Sequence, residues 1–235
     1  VEDKGQWAMI FNETVKSDSN PVDRTEKFMF DGERLIQHII KQRYFEEEIS
    51  NEVNLSYSDN QVTVTTDYLT LVYTLNSEGY ASQCVYSLSS QNRIYQFSYS
   101  AEGYLTGIVE NIDDTEYSST SLTYENGDIT SISSKMNGLE NKFIYEPGEE
   151  SSTYHLPCLG LLEIHPLTFH IEALYAGLLG KDPRHFTMHS CPAGSNDEKT
   201  VYSYGFDKKG NPSRMICQTT YAGGQASYYP YTRNI

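Results

Sequence analysis

A short hairpin unit recurs along most of this sequence and limits the folds that the chain can adopt. In its clearest copy, Tyr95, Phe97 and Tyr99 alternate with polar residues and precede a turn at Gly103. Strict alternation of apolar and polar residues is typical of a β-strand with one buried face. Gly79 and Gly127 lie 24 residues to either side of Gly103. This regular spacing indicates copies of one hairpin, stacked as an antiparallel meander.

Similar hairpins are predicted from near the N-terminus onward. Apolar runs flank two further turn dipeptides, Asp-Gly at residues 31–32 and Asp-Asn at residues 59–60, and Gly127 belongs to an Asn-Gly pair at residues 126–127. Asp-Gly and Asn-Gly pairs between apolar runs favour two-residue hairpin turns. The run at residues 35–44 also fits a helical stripe, but the Asp-Gly pair before it favours a strand.

We therefore predict an all-β fold, an antiparallel meander of about 12 or more strands in a single domain over residues 1–235. A twisted sheet of that many strands tends to curl or close, so a barrel or half-barrel with the aromatic faces inside is expected. An outer-membrane barrel would need an outward aromatic band instead. The polar faces of the strands, opposite the aromatic faces, argue against that alternative, as do the acidity of the chain and an apolar insert.

The segment 154–190 interrupts the hairpins. Six apolar residues have helical spacing: Leu167, Ile171, Leu174, Tyr175, Leu178 and Leu179. Pro166 is placed to begin a helix and Gly180 to end it. We predict a helical insertion near residues 165–180, of about 14 residues and roughly 20 Å, that packs on or inside the sheet.

The chain is strongly acidic, with 17 Lys+Arg against 32 Asp+Glu and a formal net charge of -15. This balance repels phosphate groups, so neither nucleic acid nor an anionic membrane surface is an expected partner. No apolar run of 18 residues occurs, so no membrane-spanning helix is expected. The polar start at Val1, without an initiator Met, raises the expectation of a removed export or lipoprotein signal.

Histidines cluster in and beside the insert, at positions 155, 165, 170, 185 and 189. Imidazole and thiolate groups suit zinc, so His185, His189, Cys191 and Glu163 form a candidate metal site. No His-Glu-x-x-His motif is present, which argues against a zinc site on a helix. The alternative is that these histidines lie in loops around a packed helix. No other cofactor is expected. Cys158 and Cys191 flank the insert and could form a disulfide in an exported protein.

Tyrosine is unusually abundant, at 20 residues. Its ring is an apolar platform with a polar tip, which suits sugar rings or lipid-like ligands. Tyrosines in the period-two stripes are expected in the core. The candidate ligand-binding residues are those outside the stripes: Tyr104, Tyr117, Tyr221, Tyr229 and Tyr231.

No catalytic motif is evident. Acidic pairs at residues 113–114, 149–150 and 197–198 are expected to be solvated turns, and no Gly-x-Ser-x-Gly elbow occurs. We expect a protein that is not an enzyme. The alternative is a metal-dependent hydrolase that uses the His-rich insert.

The hairpin units resemble known repeats. Residues 95–108 and 202–215, the latter with Asp207, Gly210 and Pro212, resemble the tyrosine-aspartate (YD) repeats of Rhs-type shells. They are still more similar to a domain of unknown function found in Bacteroidetes surface lipoproteins and described as porin-like in fold. This resemblance covers roughly residue 28 to the end, and residues 176–181 of the insert share it. The YD aspartate remains only at Asp31 and Asp207, and the arginine after the turn glycine is absent, which argues against a closed Rhs-like shell.

The lipoprotein resemblance implies export to the cell envelope, in the periplasm or on the outer-membrane surface. It also implies a lipid anchor on a cysteine that precedes Val1, and it assigns no catalytic residues. We expect a non-enzymatic exported lipoprotein that binds a glycan or an apolar ligand in the concavity of the sheet. A structural or assembly module that binds another envelope protein is the alternative.

Overall fold

Strands make up most of the chain. The computed structural model describes residues 5–15, 22–44, 47–88, 91–151, 164–210, 212–220 and 231–234. These residues form sixteen strands: β1 (Gln6–Val15), β2 (Val22–Asp31), β3 (Arg34–Tyr44), β4 (Glu47–Tyr57), β5 (Gln61–Thr65), β6 (Thr70–Leu75), β7 (Ala81–Leu88), β8 (Gln91–Tyr99), β9 (Leu105–Ile112), β10 (Thr115–Glu125), β11 (Asp128–Met136), β12 (Leu139–Ser151), β13 (His185–Pro192), β14 (Lys199–Phe206), β15 (Pro212–Thr220) and β16 (Tyr231–Asn234). The predicted all-β antiparallel meander of about 12 or more strands is confirmed.

The chain divides into two compact units. The first comprises residues 1–54 and 194–235, and the second comprises residues 55–193. The prediction of a single domain is not tested by this division and stays a prediction.

In the first unit, neighbouring strands pair antiparallel. The strands β1 to β4 pair in sequence, β14 pairs with β15 and β15 with β16, and β16 returns to pair with β1. Asp31 faces Arg34 across the turn at Gly32, so the run that also fitted a helical stripe is a strand. Phe11, Phe28 and Phe30 are at most 1% exposed and form part of the core.

In the second unit, β5 to β13 form a meander in which each strand pairs antiparallel with the next. Gly79, Gly103 and Gly127 lie in the turns after β6, β8 and β10, with φ of 85°, 91° and 86°. Glycine adopts this left-handed conformation without the strain that a Cβ would bring. The 24-residue spacing in the sequence therefore marks successive hairpins, as predicted.

The helical insertion lies where it was predicted, but the helix is shorter than the about 14 residues expected. A 3-10 helix at Leu167–Phe169 precedes α1 (Ile171–Tyr175). Gly177 has φ of 71°, and its N–H bonds to Leu174 O at 3.0 Å while Leu178 N–H bonds to Ala173 O at 2.9 Å. These paired bonds form a Schellman motif, which ends an α-helix. The prediction that Gly180 ends the helix was wrong, because the chain turns left-handed three residues earlier. Neither helix of the described chain has the length and apolarity to cross a membrane.

The insert covers one face of the sheet in the second unit. The His170 ring lies 4.3 Å from the Tyr95 ring and 5.3 Å from the Phe97 ring, between centroids. Leu167, Ala173 and Tyr175 of the insert are at most 1% exposed. The insert therefore covers Tyr95 and Phe97, and the striped Tyr95 is a core residue.

Candidate functional site

A row of buried polar residues crosses the sheet of the second unit beneath the insert. The strand register places one residue from each of β6 to β10 directly opposite the next: Tyr73, Cys84, Tyr95, Glu110 and Ser118. Residues directly opposite in a sheet share a face and lie side by side. All five are at most 2% exposed. We call this set the polar row.

Glu110 is the charged member of the polar row. Its Oε2 accepts hydrogen bonds from Ser118 Oγ and His165 Nε2, both at 2.7 Å, and Arg93 Nη1 lies 3.4 Å from its Oε1. Burial raises the pKa of Glu110, but the hydrogen bonds from His165 and Ser118 and the charges of His165 and Arg93 lower it further, so the net shift is downward. The carboxylate is therefore ionised at neutral pH and links the insert to the sheet.

His170, from the insert, caps the polar row. Its Nδ1 lies 2.6 Å from Tyr73 Oη, and its ring is fully buried. Burial is the main reason that its pKa falls to about 3, so the ring is neutral at neutral pH. Among the described residues, His170 Nε2 has no hydrogen-bond partner.

The thiol and phenols of the polar row are poor nucleophiles. Burial raises the pKa of Cys84 to about 12 and raises the pKa of Tyr73 well above 10.0. A thiol reacts as its thiolate, so a buried thiol with a raised pKa is inert. The polar row is therefore suited to fixing the insert against the sheet rather than to covalent chemistry.

The segment that follows the helix crosses three successive hairpin turns. Ala81 N–H bonds to Leu178 O at 2.7 Å, Lys181 N–H to Gly103 O at 2.8 Å and Arg184 N–H to Gly127 O at 3.0 Å. We call residues 178–184 the strap. The strap therefore bonds to one hairpin every three residues.

A pocket of about 730 Å³ lies where the strap meets these turns. Its wall includes Tyr104, Tyr124, Asn126, Gly127, Lys181 and Arg184. The Tyr104 and Tyr124 rings stack with centroids 5.0 Å apart and planes at 29°. We call this the turn pocket.

Gly127 allows two side chains of the turn pocket to approach the backbone. A Cβ at this position would lie 2.6 Å from Tyr104 Oη and 2.6 Å from Arg184 Cδ. Arg184 is anchored beside it, because its Nη1 donates to Asn126 O at 3.3 Å. The hairpin turn therefore helps to set the positions of both the aromatic ring and the cation.

The candidate binding tyrosines do not form one site. Tyr104 lines the turn pocket, whereas Tyr117 lines a second pocket of about 520 Å³ with Lys135 and Met136. Tyr117 also lies near the polar row, with its ring 6.2 Å from the His165 ring. Tyr231 begins β16 and only its backbone is described. The other two candidates, Tyr221 and Tyr229, lie outside the described residues.

The two histidines of the candidate metal site have separate carboxylate partners. His185 Nδ1 lies 2.8 Å from Asp128 Oδ2, and His189 Nδ1 lies 2.8 Å from Glu146 Oε2. Within the part of the chain that the structure describes, no group of three or more His, Cys, Asp or Glu residues could hold a metal ion. Glu163 lies outside that part, so the site stays a prediction. Cys191 is a free thiol, and Cys158 also lies outside the described residues.

The reasoning from sequence missed Glu110 and Tyr124. A signal for Glu110 was present, because it lies two residues after Ile108 and strand residues two apart share a face. A carboxylate on a core face must find partners, which here are Arg93 and His165. No comparable local signal marks Tyr124, whose role depends on the stacking of neighbouring hairpins.

Comparison with known proteins places the chain among porin-like folds. The model of a family described as a domain of unknown function (DUF4595) with porin-like fold matches residues 28–214. A crystal structure of a porin-like protein from Bacteroides uniformis is similar, with 27% identity, a TM-score of 0.88 and coverage of 97% of this chain and 94% of that chain. A porin-like protein from Bacteroides vulgatus, 11% identical with a TM-score of 0.59 over 95% of both chains, is similar in fold alone. A search of curated proteins gave no match. The chain belongs to the DUF4595 family of domains with porin-like fold.

Proposed function

We propose that this protein is a non-enzymatic, exported protein of the cell envelope that binds a saccharide in the turn pocket. The observation that carries the proposal is the stacked pair of Tyr104 and Tyr124 in the wall of that pocket. Aromatic faces suit the apolar faces of sugar rings, and the polar tips of tyrosine supply hydrogen bonds. The pocket volume of about 730 Å³ falls within the usual range for small-molecule sites, roughly 300–1,000 Å³.

The composition of the wall favours a saccharide over an apolar ligand. Thr106, Thr123 and Asn126 add hydroxyl and amide groups beside the two rings. Leu122 is the one aliphatic side chain of the described lining, and it is 3% exposed. A ligand rich in hydroxyl groups can satisfy such a wall, whereas an apolar ligand would leave its polar groups without partners.

The proposed site differs from the location expected from sequence. We expected the ligand on the aromatic concave face of the sheet, but in the second unit the insert packs over Tyr73 and Tyr95. The turn pocket lies at the turns, where Tyr104 and Tyr124 are half-buried. The proposal therefore assigns binding to the turns and a structural role to the covered tyrosines.

The envelope location rests on similarity. The family has a porin-like fold, and a structurally similar protein from Bacteroides uniformis is called porin-like. The resemblance to surface lipoproteins supports a lipid anchor and a removed signal. The resemblance to YD repeats supports the interpretation that the hairpins are copies of one repeat unit. Labelling the full-length protein with radioactive palmitate in a Bacteroides host tests the anchor. A labelled protein in the membrane fraction is expected, and an unlabelled cytosolic protein would contradict the proposal.

A glycan array tests binding, with variants that separate the turn pocket from the rest of the surface. We expect Tyr104→Ala and Tyr124→Ala to weaken saccharide binding by about tenfold, since central aromatic residues dominate many binding sites. Tyr68→Ala is the matched control, because Tyr68 is 72% exposed and does not line this pocket. Undiminished binding by both pocket variants would contradict the assignment. No saccharide binding, together with a stable envelope partner, would favour the structural or assembly role instead.

A further inference from the structure

We infer that the saccharide of the turn pocket carries an anionic group, a carboxylate or a sulfate, which Lys181 and Arg184 recognise. This inference rests on the proposed function and specifies the ligand class of the same site.

The sheet itself sets the positions of both cations. The backbone N–H groups of Lys181 and Arg184 are the donors that bond to Gly103 O and Gly127 O. Each cationic residue is therefore fixed to one hairpin turn, and the two turns belong to neighbouring hairpins. These two backbone hydrogen bonds of the strap therefore place both positively charged residues beside the same pocket.

Both cations have donors to offer a ligand. Arg184 Nη1 donates to a backbone carbonyl, that of Asn126, and a guanidinium carries five N–H donors in a planar fork. Neither Lys181 nor Arg184 forms an ion pair with another residue of the described chain. A guanidinium binds carboxylate or sulfate oxygens in pairs, and an ammonium adds a point charge.

The pocket also differs in charge from the protein around it. The chain carries almost twice as many acidic as basic residues, at 32 against 17. In the described lining of the turn pocket, Glu102 is the one carboxylate beside the two cations. The stacked rings of Tyr104 and Tyr124 lie in the same wall. A sugar ring packed on these rings would bring a charged substituent within reach of the strap.

The test compares saccharides that differ in charge on one array, with neutral, carboxylated and sulfated members. Variants of the full chain are Lys181→Gln, Arg184→Gln and the double variant, with Lys142→Gln as the control for net charge. Lys142 is exposed on β12 and does not line the turn pocket. Titration of the strongest array ligand then measures affinity at low and at high salt.

We expect carboxylated or sulfated saccharides to bind more tightly than neutral ones. The class that binds more tightly identifies the anionic group as a carboxylate or a sulfate. Each single variant should weaken that binding by about tenfold, as expected for a lost hydrogen bond to a charged group. Added salt should weaken it as well, because both cations are exposed. Lys142→Gln should bind like the unmodified chain.

The outcomes separate the two proposals. Binding of neutral saccharides that depends on Tyr104 and Tyr124, but not on Lys181 or Arg184, would overturn this inference and leave the proposed function standing. Binding of acidic saccharides that is unchanged in the double variant would also overturn it. No saccharide binding at all would overturn both.

Discussion

Glu110 Oε2 lies 2.7 Å from His165 Nε2, across 55 residues of sequence, and this contact joins the sheet of the second unit to its insert. The carboxylate is fully buried, whereas the His165 side chain is 26% exposed. An ionised buried carboxylate is stable only when its partners are in place. The position of the insert, and of the strap that follows it, therefore depends on Glu110.

Replacing Glu110 with Gln should destabilise the protein. The variant keeps the size of the side chain but removes the charge that Arg93 and His165 face. Loss of one partner from a buried charged network lowers the free energy of unfolding by about 3–5 kcal/mol. The loss in Glu110→Gln should be somewhat smaller, because Arg93 and His165 are partly exposed. Denaturant unfolding measures the change. Glu116→Gln, at an exposed position on β10, is the control and should be nearly neutral. Equal stability of both variants would contradict a role for the Glu110 network.

The stability of the fold should depend on His170 at acidic pH. Burial lowers the pKa of His170 from 6.5 to about 3 in the folded protein. Between these pH values the unfolded chain binds a proton that the folded chain does not, so stability is full above about pH 6.5 and is lost as the pH falls toward 3. The slope of this contribution approaches about 1.4 kcal/mol per pH unit.

The measurement is denaturant unfolding from pH 7 to pH 4, compared between the unmodified chain and His170→Gln. The variant is less stable at pH 7 because the contact with Tyr73 is lost, but its stability should fall less steeply with acid. Carboxylates titrate in both proteins, so the difference in slope reports His170. Parallel curves would show that folding does not lower the pKa of His170, and would contradict the prediction.

Two turn glycines offer a matched test of the turn pocket. Gly127 and Gly138 both follow an asparagine, with φ of 86° and 77°. A Cβ at Gly127 would meet Tyr104 and Arg184, whereas a Cβ at Gly138 would meet no atom within 4 Å. Both Ala variants should lose about 1 kcal/mol through backbone strain, but Gly127→Ala should lose more and should also bind saccharide more weakly. Equal losses in stability, with equal binding, would contradict the close packing at Gly127.

Cys84 should resist thiol reagents in the folded protein. It is fully buried, and burial raises its pKa to about 12. Peptide mapping after treatment with iodoacetamide at pH 8 should find Cys84 unmodified and the half-buried Cys191 modified. Cys84 should react once denaturant is added, which serves as the positive control. Rapid modification of Cys84 without denaturant would contradict its placement in the polar row.

The meander could be predicted because its signals are local. Alternation at Tyr95, Phe97 and Tyr99 and the turn glycines each depend on a few neighbouring residues. The length of the helix could not be predicted in the same way. Leu178 and Leu179 continue the helical spacing, and nothing local shows that the helix ends before Gly177, since Gly177 and Gly180 both adopt positive φ.

The candidate site was less predictable than the fold, because its residues meet through long-range register. Tyr104 was identified from sequence, but its stacking partner Tyr124 lies one hairpin further along the chain. Lys181 and Arg184 join the same pocket only because the strap crosses the turns at Gly103 and Gly127. A single sequence carries no signal for such a crossing.

A crystal structure of the protein with the strongest saccharide from the array shows where the ligand binds. We expect a sugar ring against Tyr104 or Tyr124, with its anionic group beside Arg184 or Lys181. A saccharide bound elsewhere, for example beside Tyr117 in the second pocket, would contradict the assignment of the turn pocket as the binding site.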